Sequence, residues 1–75
     1  MSDAISDFMV HMNESLSAEE IKKLEDGVRE HICVISADVP KHTPHLMMVV
    51  YDCECTHATN ILGHVRSTGI HATML

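Results

Sequence analysis

Hydrophobic residues recur along the chain with two different spacings, which divide it into six segments. Short apolar runs bounded by polar residues are typical of β-strands. They predict four strands, at residues 8–12, 33–39, 45–51 and 71–75. Apolar residues three or four positions apart are typical of helices that bury one face. They predict two helices, one after the first strand and one after the third.

The first predicted helix covers about residues 18–31. Ser17 and Glu20 mark its start, because they have the spacing of a capping box. Gly27 lowers its intrinsic stability by about 1 kcal/mol relative to alanine without breaking the pattern. Its predicted apolar face comprises Ile21, Leu24, Val28 and Ile32.

The second predicted helix begins after Thr56, its expected N-cap, and ends before Gly69, its expected C-cap. Its apolar face comprises Ala58, Ile61, Leu62 and Val65. Residues 40–44 contain two prolines, which cannot donate to a sheet, and therefore predict a turn between the second and third strands.

The order strand, helix, strand, strand, helix, strand predicts an α+β fold of the ferredoxin-like βαββαβ type. Two right-handed crossovers place four antiparallel strands in the order 4-1-3-2, with both helices on one face. The chain has 75 residues, so we expect one domain that spans residues 1–75.

The third strand is apolar on both sides. Leu46, Met48 and Val50 alternate with Met47, Val49 and Tyr51. Because the helices cover only one face of the sheet, one of these sets must face outward. We expect Met9 and Ile35 to join it and the apolar patch to pair with a second copy in a two-fold homodimer. On this interpretation Met47→Lys dissociates the dimer without unfolding the domain.

Charge and composition argue against nucleic acids and membranes as partners. Eleven acidic residues against five basic ones give a net charge of −6, which disfavours binding to nucleic acid. No apolar run approaches the roughly 20 residues that a membrane span needs, and the first residues have no positively charged signal. We therefore expect no membrane partner and a reducing, cytoplasmic location.

Cys53, Cys55 and His57 form the strongest local group of metal-ligand residues. Pairing of the second and third strands brings Cys33 near residues 51–53, so three thiols and an imidazole meet at one end of the domain. Such ligands suit Zn²⁺ or Cu(I), which makes Cys33, Cys53, Cys55 and His57 a candidate metal site. Two alternatives stay open: ordinary thiols with Cys33 as a small buried residue, and a redox or disulfide pair.

Two further groups of ligand residues are weaker candidates. His31 lies close enough in sequence to join the cysteine group. Met12, His42 and His71 lie on loops that the predicted topology brings together at the opposite end. They are either a weak metal site or three solvated loop residues.

The chain lacks the residues that other functions of this topology require. Acylphosphatases share the predicted topology but hold phosphate with an arginine in the first loop, and residues 13–17 contain none. RNA-recognition modules also share it, yet only Phe8 and Tyr51 offer aromatic rings on strands. We expect neither catalysis nor RNA binding.

Four short motifs are specific when their order and spacing are taken together. They are Met12 after the first strand, Val34 after the first helix, Val49-x-Tyr51-Asp52 in the third strand, and Gly69-x-x-Ala72 before the fourth. In these motifs the chain resembles the heavy-metal-associated domain family, which includes copper chaperones and the soluble domains of copper-transporting P-type ATPases. The resemblance covers nearly the whole chain and implies a ferredoxin-like fold with a metal-associated role.

The chain departs from this family at the copper motif. The family binds Cu(I) through Met-x-Cys-x-x-Cys, and Glu14 and Ser17 occupy the cysteine positions counted from Met12. Cys33 also replaces the glycine of the family's Gly-Val step. The sequence therefore favours a non-enzymatic metal-associated domain in which any zinc or copper is held by other residues. The alternative is a protein-interaction or regulatory module that binds a protein partner and no metal.

Overall fold

The six predicted elements are present in the predicted order. A computed structural model describes residues 4–75. Its strands are β1 (Ile5–Met12), β2 (Val34–Asp38), β3 (Leu46–Asp52) and β4 (Ala72–Met74), and its helices are α1 (Ala18–Arg29) and α2 (Ala58–Arg66). The strands form one antiparallel sheet in the order β2-β3-β1-β4, which confirms the ferredoxin-like fold.

One hydrophobic core lies between the sheet and the two helices. Leu24 and Val28 of α1 meet Ile61, Leu62 and Val65 of α2 in this core. The strands contribute Phe8, Val10, Met12, Ala37, Met47, Val49, Tyr51 and Ala72. Burying a large aliphatic side chain of this kind stabilises a fold by about 1.5–3 kcal/mol. The thin core of this short chain therefore depends on nearly every one of these contacts.

Strand β3 turns Met47, Val49 and Tyr51 toward the core and Leu46, Met48 and Val50 toward the open face. Met47 is completely buried. The prediction that Met47→Lys would act on an outer surface is therefore wrong, because a charge there would lie in the core. Met48 occupies the outer position on β3, directly opposite Met9 of β1.

The start of α1 is the capping box that the sequence predicts. Ser17 Oγ accepts a hydrogen bond from the Glu20 N–H at 3.2 Å, and Glu20 Oε1 accepts one from the Ser17 N–H at 2.9 Å. The end of α1 differs from the prediction. The helix stops at Arg29, so Ile32 falls in the following turn and is 93% exposed instead of joining the apolar face.

The two ends of α2 also differ from the prediction. His57 is the N-cap, and its side chain makes no capping hydrogen bond. Thr56 Oγ1 instead accepts a hydrogen bond from Asn60 Nδ2 at 3.1 Å. The helix ends at Arg66 with Ser67 as C-cap, and Gly69 follows two residues later with a φ of +93°. Gly69 therefore shapes the turn into β4 rather than capping α2.

No helix within residues 4–75 combines the length and apolar character that a membrane crossing requires.

Candidate functional site

The cysteine end of the domain is built where two loops meet. One loop leads from α1 into β2, and the other leads from β3 into α2. The Asp52 N–H donates to the Cys33 carbonyl at 2.9 Å, which fixes the start of β2 against the end of β3. This contact confirms the predicted proximity of Cys33 to residues 51–53.

A turn after β3 then orients the other two cysteines. Asp52 caps this turn, since its Oδ1 accepts from the Glu54 N–H at 2.9 Å and its carbonyl accepts from the Cys55 N–H at 3.0 Å. The Cys53 N–H donates to the Ala4 carbonyl at 2.7 Å. Both ends of the short segment are therefore held by backbone hydrogen bonds.

Cys33 and Cys55 are joined by a disulfide bond, with their Cα atoms 5.6 Å apart. Cys33 is buried, with 6% of its surface exposed, whereas Cys55 faces solvent. The redox or disulfide alternative left open by the sequence is thus realised in this structure. In this oxidised form, two of the three candidate thiol ligands are bonded to each other.

The other two candidate ligands lie on the same exposed segment but form no closed site with the cysteines. Cys53 is an exposed free thiol, and His57 is an exposed residue at the start of α2. Within residues 4–75, no three side chains of His, Cys, Asp or Glu converge on a common point that could hold a metal ion. The assignment of Cys33, Cys53, Cys55 and His57 as metal ligands stays a prediction.

His31 is engaged beside Cys33 instead of pointing to the thiols. Its Nδ1 accepts a hydrogen bond from the Cys33 N–H at 3.1 Å. Its ring meets His64 edge to face, with centroids 5.7 Å apart, and His64 Nε2 donates to the Gly27 carbonyl at 2.9 Å. These half-buried imidazoles tie the end of α1 to α2, which is a structural role.

The opposite end of the domain carries the loop at residues 13–17, where the sequence resemblance places the copper motif of the heavy-metal-associated family. Its two cysteine-equivalent residues are both engaged: Ser17 caps α1, and Glu14 Oε1 accepts from the N–H of His71 at 2.8 Å and lies 2.9 Å from its Nδ1. These hydrogen bonds, the backbone one first, hold the pKa of the Glu14 carboxyl below its ordinary value. A carboxylate and a hydroxyl are poor ligands for a soft Cu(I) ion, and the expectation that this loop does not bind copper tightly stays a prediction.

The second predicted cluster, of Met12, His42 and His71, is incomplete. Met12 is completely buried in the core and cannot serve as a thioether ligand at the surface. His71 is committed to Glu14, and His42 is exposed in the turn before β3.

Sequence reasoning missed a pair of imidazoles near this end. His11 on β1 and His45 just before β3 have ring centroids 6.3 Å apart, with an angle of 26° between the rings. The two residues are distant in sequence and meet because β1 pairs with β3. Only the register of that pairing could have revealed them.

Solved structures share this fold over nearly the whole chain. A copper-binding domain from HMA7, a P-type ATPase, superposes with a TM-score of 0.82 at 19% identity and covers 92% of each chain. Oxidized MerP from Ralstonia metallidurans CH34 superposes with a TM-score of 0.83 at 13% identity, covering 95% of this chain and 97% of its own. No protein-family model and no curated protein matches the sequence. The comparisons therefore establish the ferredoxin-like architecture that this chain shares with copper-binding domains.

Proposed function

We propose that the chain is a non-enzymatic, metal-associated domain that holds a soft or borderline ion through its cysteine end once the Cys33–Cys55 bond is reduced. The observation that carries this proposal is the Cα separation of 5.6 Å between Cys33 and Cys55. Two thiolates this close are suitable ligands for Cu(I) or Zn²⁺. The shared fold with copper-binding domains supports the same class of function.

The residues around this pair position the two thiols and supply further metal donors. Cys33 is held by the backbone contact with Asp52, while Cys55 is exposed and offers the route of entry for an ion. Cys53 and His57 lie two residues to either side of Cys55 and supply a third and a fourth donor. Reduction by a dithiol reductant delivers two electrons and two protons to the disulfide, and the reductant becomes a cyclic disulfide.

The test is an anaerobic Cu(I) titration of the reduced protein in competition with a chromogenic Cu(I) chelator, repeated with Zn²⁺ and a zinc-binding dye. We expect one ion per chain. Cys33→Ser and Cys55→Ser each remove a ligand. Loss of a ligand's hydrogen-bonding partner alone lowers metal affinity roughly 10–100-fold, so each of these variants should lower the affinity by more than that. Cys53→Ser and His57→Ala should have smaller effects, and His42→Ala, an exposed histidine in the turn before β3, serves as the control.

The outcome also decides the role of the loop at residues 13–17. A variant with Cys33, Cys53 and Cys55 all changed to serine should lose tight Cu(I) binding, because Glu14 and Ser17 offer no thiolate. Tight binding retained in that variant would contradict the assignment to the cysteine end. Circular dichroism of each variant separates lost binding from lost folding.

The second candidate function is a protein-interaction or regulatory module without metal. The observation that favours it is the apolar open face of the sheet, where Ile5 is 61% and Ile35 is 54% exposed beside Met9 and Met48. Elemental analysis of untagged protein, purified under reducing conditions, discriminates between the two functions. A stoichiometric amount of copper or zinc supports the metal-associated domain, and its absence together with failure of the titration supports the interaction module.

A further inference from the structure

His45 differs from the histidines whose rings are held by hydrogen bonds. His31, His64 and His71 each have a ring nitrogen engaged in a hydrogen bond within 3.1 Å to the backbone or to Glu14. Among the described residues 4–75, the exposed ring of His45 makes no side-chain hydrogen bond and lies near the ring of His11. Both of its nitrogens are open to solvent or to a ligand.

The ring of His11 has the hydrogen bond that metal-bound histidines use. Its Nδ1 lies 3.0 Å from Asn13 Oδ1, and since that oxygen can only accept, Nδ1 carries the proton and donates it. Nε2 is then left with a free lone pair. Ligating histidines almost always donate their second nitrogen to an oxygen in this way, which fixes the tautomer and the ring orientation.

The two rings lie close enough for a small rotation of one side chain to bring both onto one ion. With metal–nitrogen bonds of about 2.0–2.1 Å and a tetrahedral angle at the ion, two imidazoles on one Zn²⁺ have centroids about 5.2 Å apart. The observed separation of 6.3 Å is about 1 Å longer, so one ring must turn toward the other before both hold the same ion. His11 extends from a strand, so its backbone is fixed, while His45 lies in the exposed segment before β3 and can turn its ring.

From this geometry we propose that His11 and His45 form a second metal site, specific for a borderline divalent cation such as Zn²⁺, on the open side of the sheet. Imidazole nitrogens prefer Zn²⁺, Cu²⁺ and Ni²⁺ over the hard cations. The two imidazoles supply two ligands, and water fills the remaining positions of the tetrahedral ion. The net charge of −6 raises the local concentration of cations around the domain. This site lies at the opposite end of β1 from the cysteines and does not depend on their oxidation state.

The test isolates this site from the thiols. In protein that carries Cys53→Ser and keeps the Cys33–Cys55 disulfide, no free thiol remains. Titration of this protein with Zn²⁺ by calorimetry should show one ion per chain. His11→Ala and His45→Ala should each weaken binding at least about tenfold, whereas His42→Ala, which removes an exposed histidine in the turn before β3, should leave it unchanged.

A double-variant cycle separates chelation from binding at independent imidazoles. If both rings hold one ion, either single substitution removes the chelate and the double variant His11→Ala/His45→Ala is hardly weaker than each single one. Additive losses would overturn the proposal. Asn13→Ala should weaken Zn²⁺ binding by a smaller factor, because it frees the His11 ring to rotate.

Nuclear magnetic resonance of the same Cys53→Ser protein gives a readout that requires no substitution of a histidine. On addition of Zn²⁺, the imidazole signals of His11 and His45 should shift together and saturate at one equivalent. Signals that stay in place, or that shift equally for all seven histidines of the chain, would overturn the shared site.

Discussion

Met47 and Met48 are adjacent in sequence and lie in opposite environments. Met47 is completely buried among the helices, whereas Met48 lies on the open face. We expect Met47→Ala to lower the free energy of unfolding by about 2–5 kcal/mol, because it leaves a cavity in the core. The matched change Met48→Ala should cost about 1 kcal/mol or less, since its site is partly solvated. Urea denaturation of both variants measures the difference, and equal losses would contradict the assignment of faces.

Glu14 makes the stability of the folded domain depend on pH. Its pKa is lowered in the folded state, so its contribution to stability is complete above the unfolded value of about 4.3 and is lost as pH falls through the lower folded value. We expect Glu14→Gln to reduce the loss of stability between about pH 6 and pH 3. The measurement is the thermal unfolding midpoint as a function of pH.

His71→Ala provides the control for this pH effect. The largest cause of the lowered pKa is the hydrogen bond from the backbone N–H of His71, which alanine retains. His71→Ala should therefore keep most of the pH dependence of stability that Glu14→Gln removes. If His71→Ala abolished it as fully as Glu14→Gln, the side chain of His71 rather than its backbone would be responsible.

At the level of elements, two glycines give opposite responses to the same substitution. Gly27 lies inside α1 with nothing within 4 Å of an added Cβ, and Gly69 has a φ of +93° in the turn before β4. We expect Gly27→Ala to stabilise the domain by about 0.5–1 kcal/mol, because alanine loses less backbone entropy in a helix. Gly69→Ala should destabilise it by about 1–2 kcal/mol, because a Cβ is strained at this backbone angle. Chemical denaturation of both variants tests the pair, and a change of the same sign in both would contradict it.

The elements that the sequence predicts well are those defined by local chemistry. Ser17 and Glu20 are three residues apart, and their capping box needs no other part of the chain. The ends of α1 and α2 were predicted less well, because a neighbouring turn competes with the helix for the same backbone groups. At the end of α1, the His31 N–H bonds to the Val28 carbonyl and the Val34 N–H to the His31 carbonyl. Ile32 is thereby placed in solvent despite its helical spacing.

For the whole molecule, the limit of prediction is the register between distant strands. The approach of Cys33 to the end of β3 followed from the topology, but its partner is Cys55, because the turn capped by Asp52 brings that residue back toward β2. His11 and His45 meet only through the pairing of β1 with β3, with β2 and α1 between them in sequence. Periodicity describes each strand alone and contains no information on this contact.

The open face of the sheet bears on the predicted homodimer, which stays a prediction. Met9 and Met48 are paired at its centre, with Leu46 and Val50 on either side along β3. Three carboxylates surround this apolar strip, because strand alternation places Asp7, Asp38 and Asp52 on the same face. Two copies that meet through this face bury the apolar strip but bring like charges together. We therefore expect association that strengthens as salt screens the carboxylates.

Light scattering over a concentration series, at low and at high salt, measures this association. With increasing protein concentration, the measured mass should rise from the 8.3 kDa of one chain toward twice that value. In high salt this rise should begin at a lower protein concentration. Met48→Lys should abolish the rise without changing the circular dichroism, because its side chain is on the open face. Met47→Lys is the contrasting variant, since its charge would lie in the core and should unfold the domain. A monomer that persists at millimolar protein in high salt would leave the strip as a solvated surface, because apolar burial alone would then be too weak to hold two copies together.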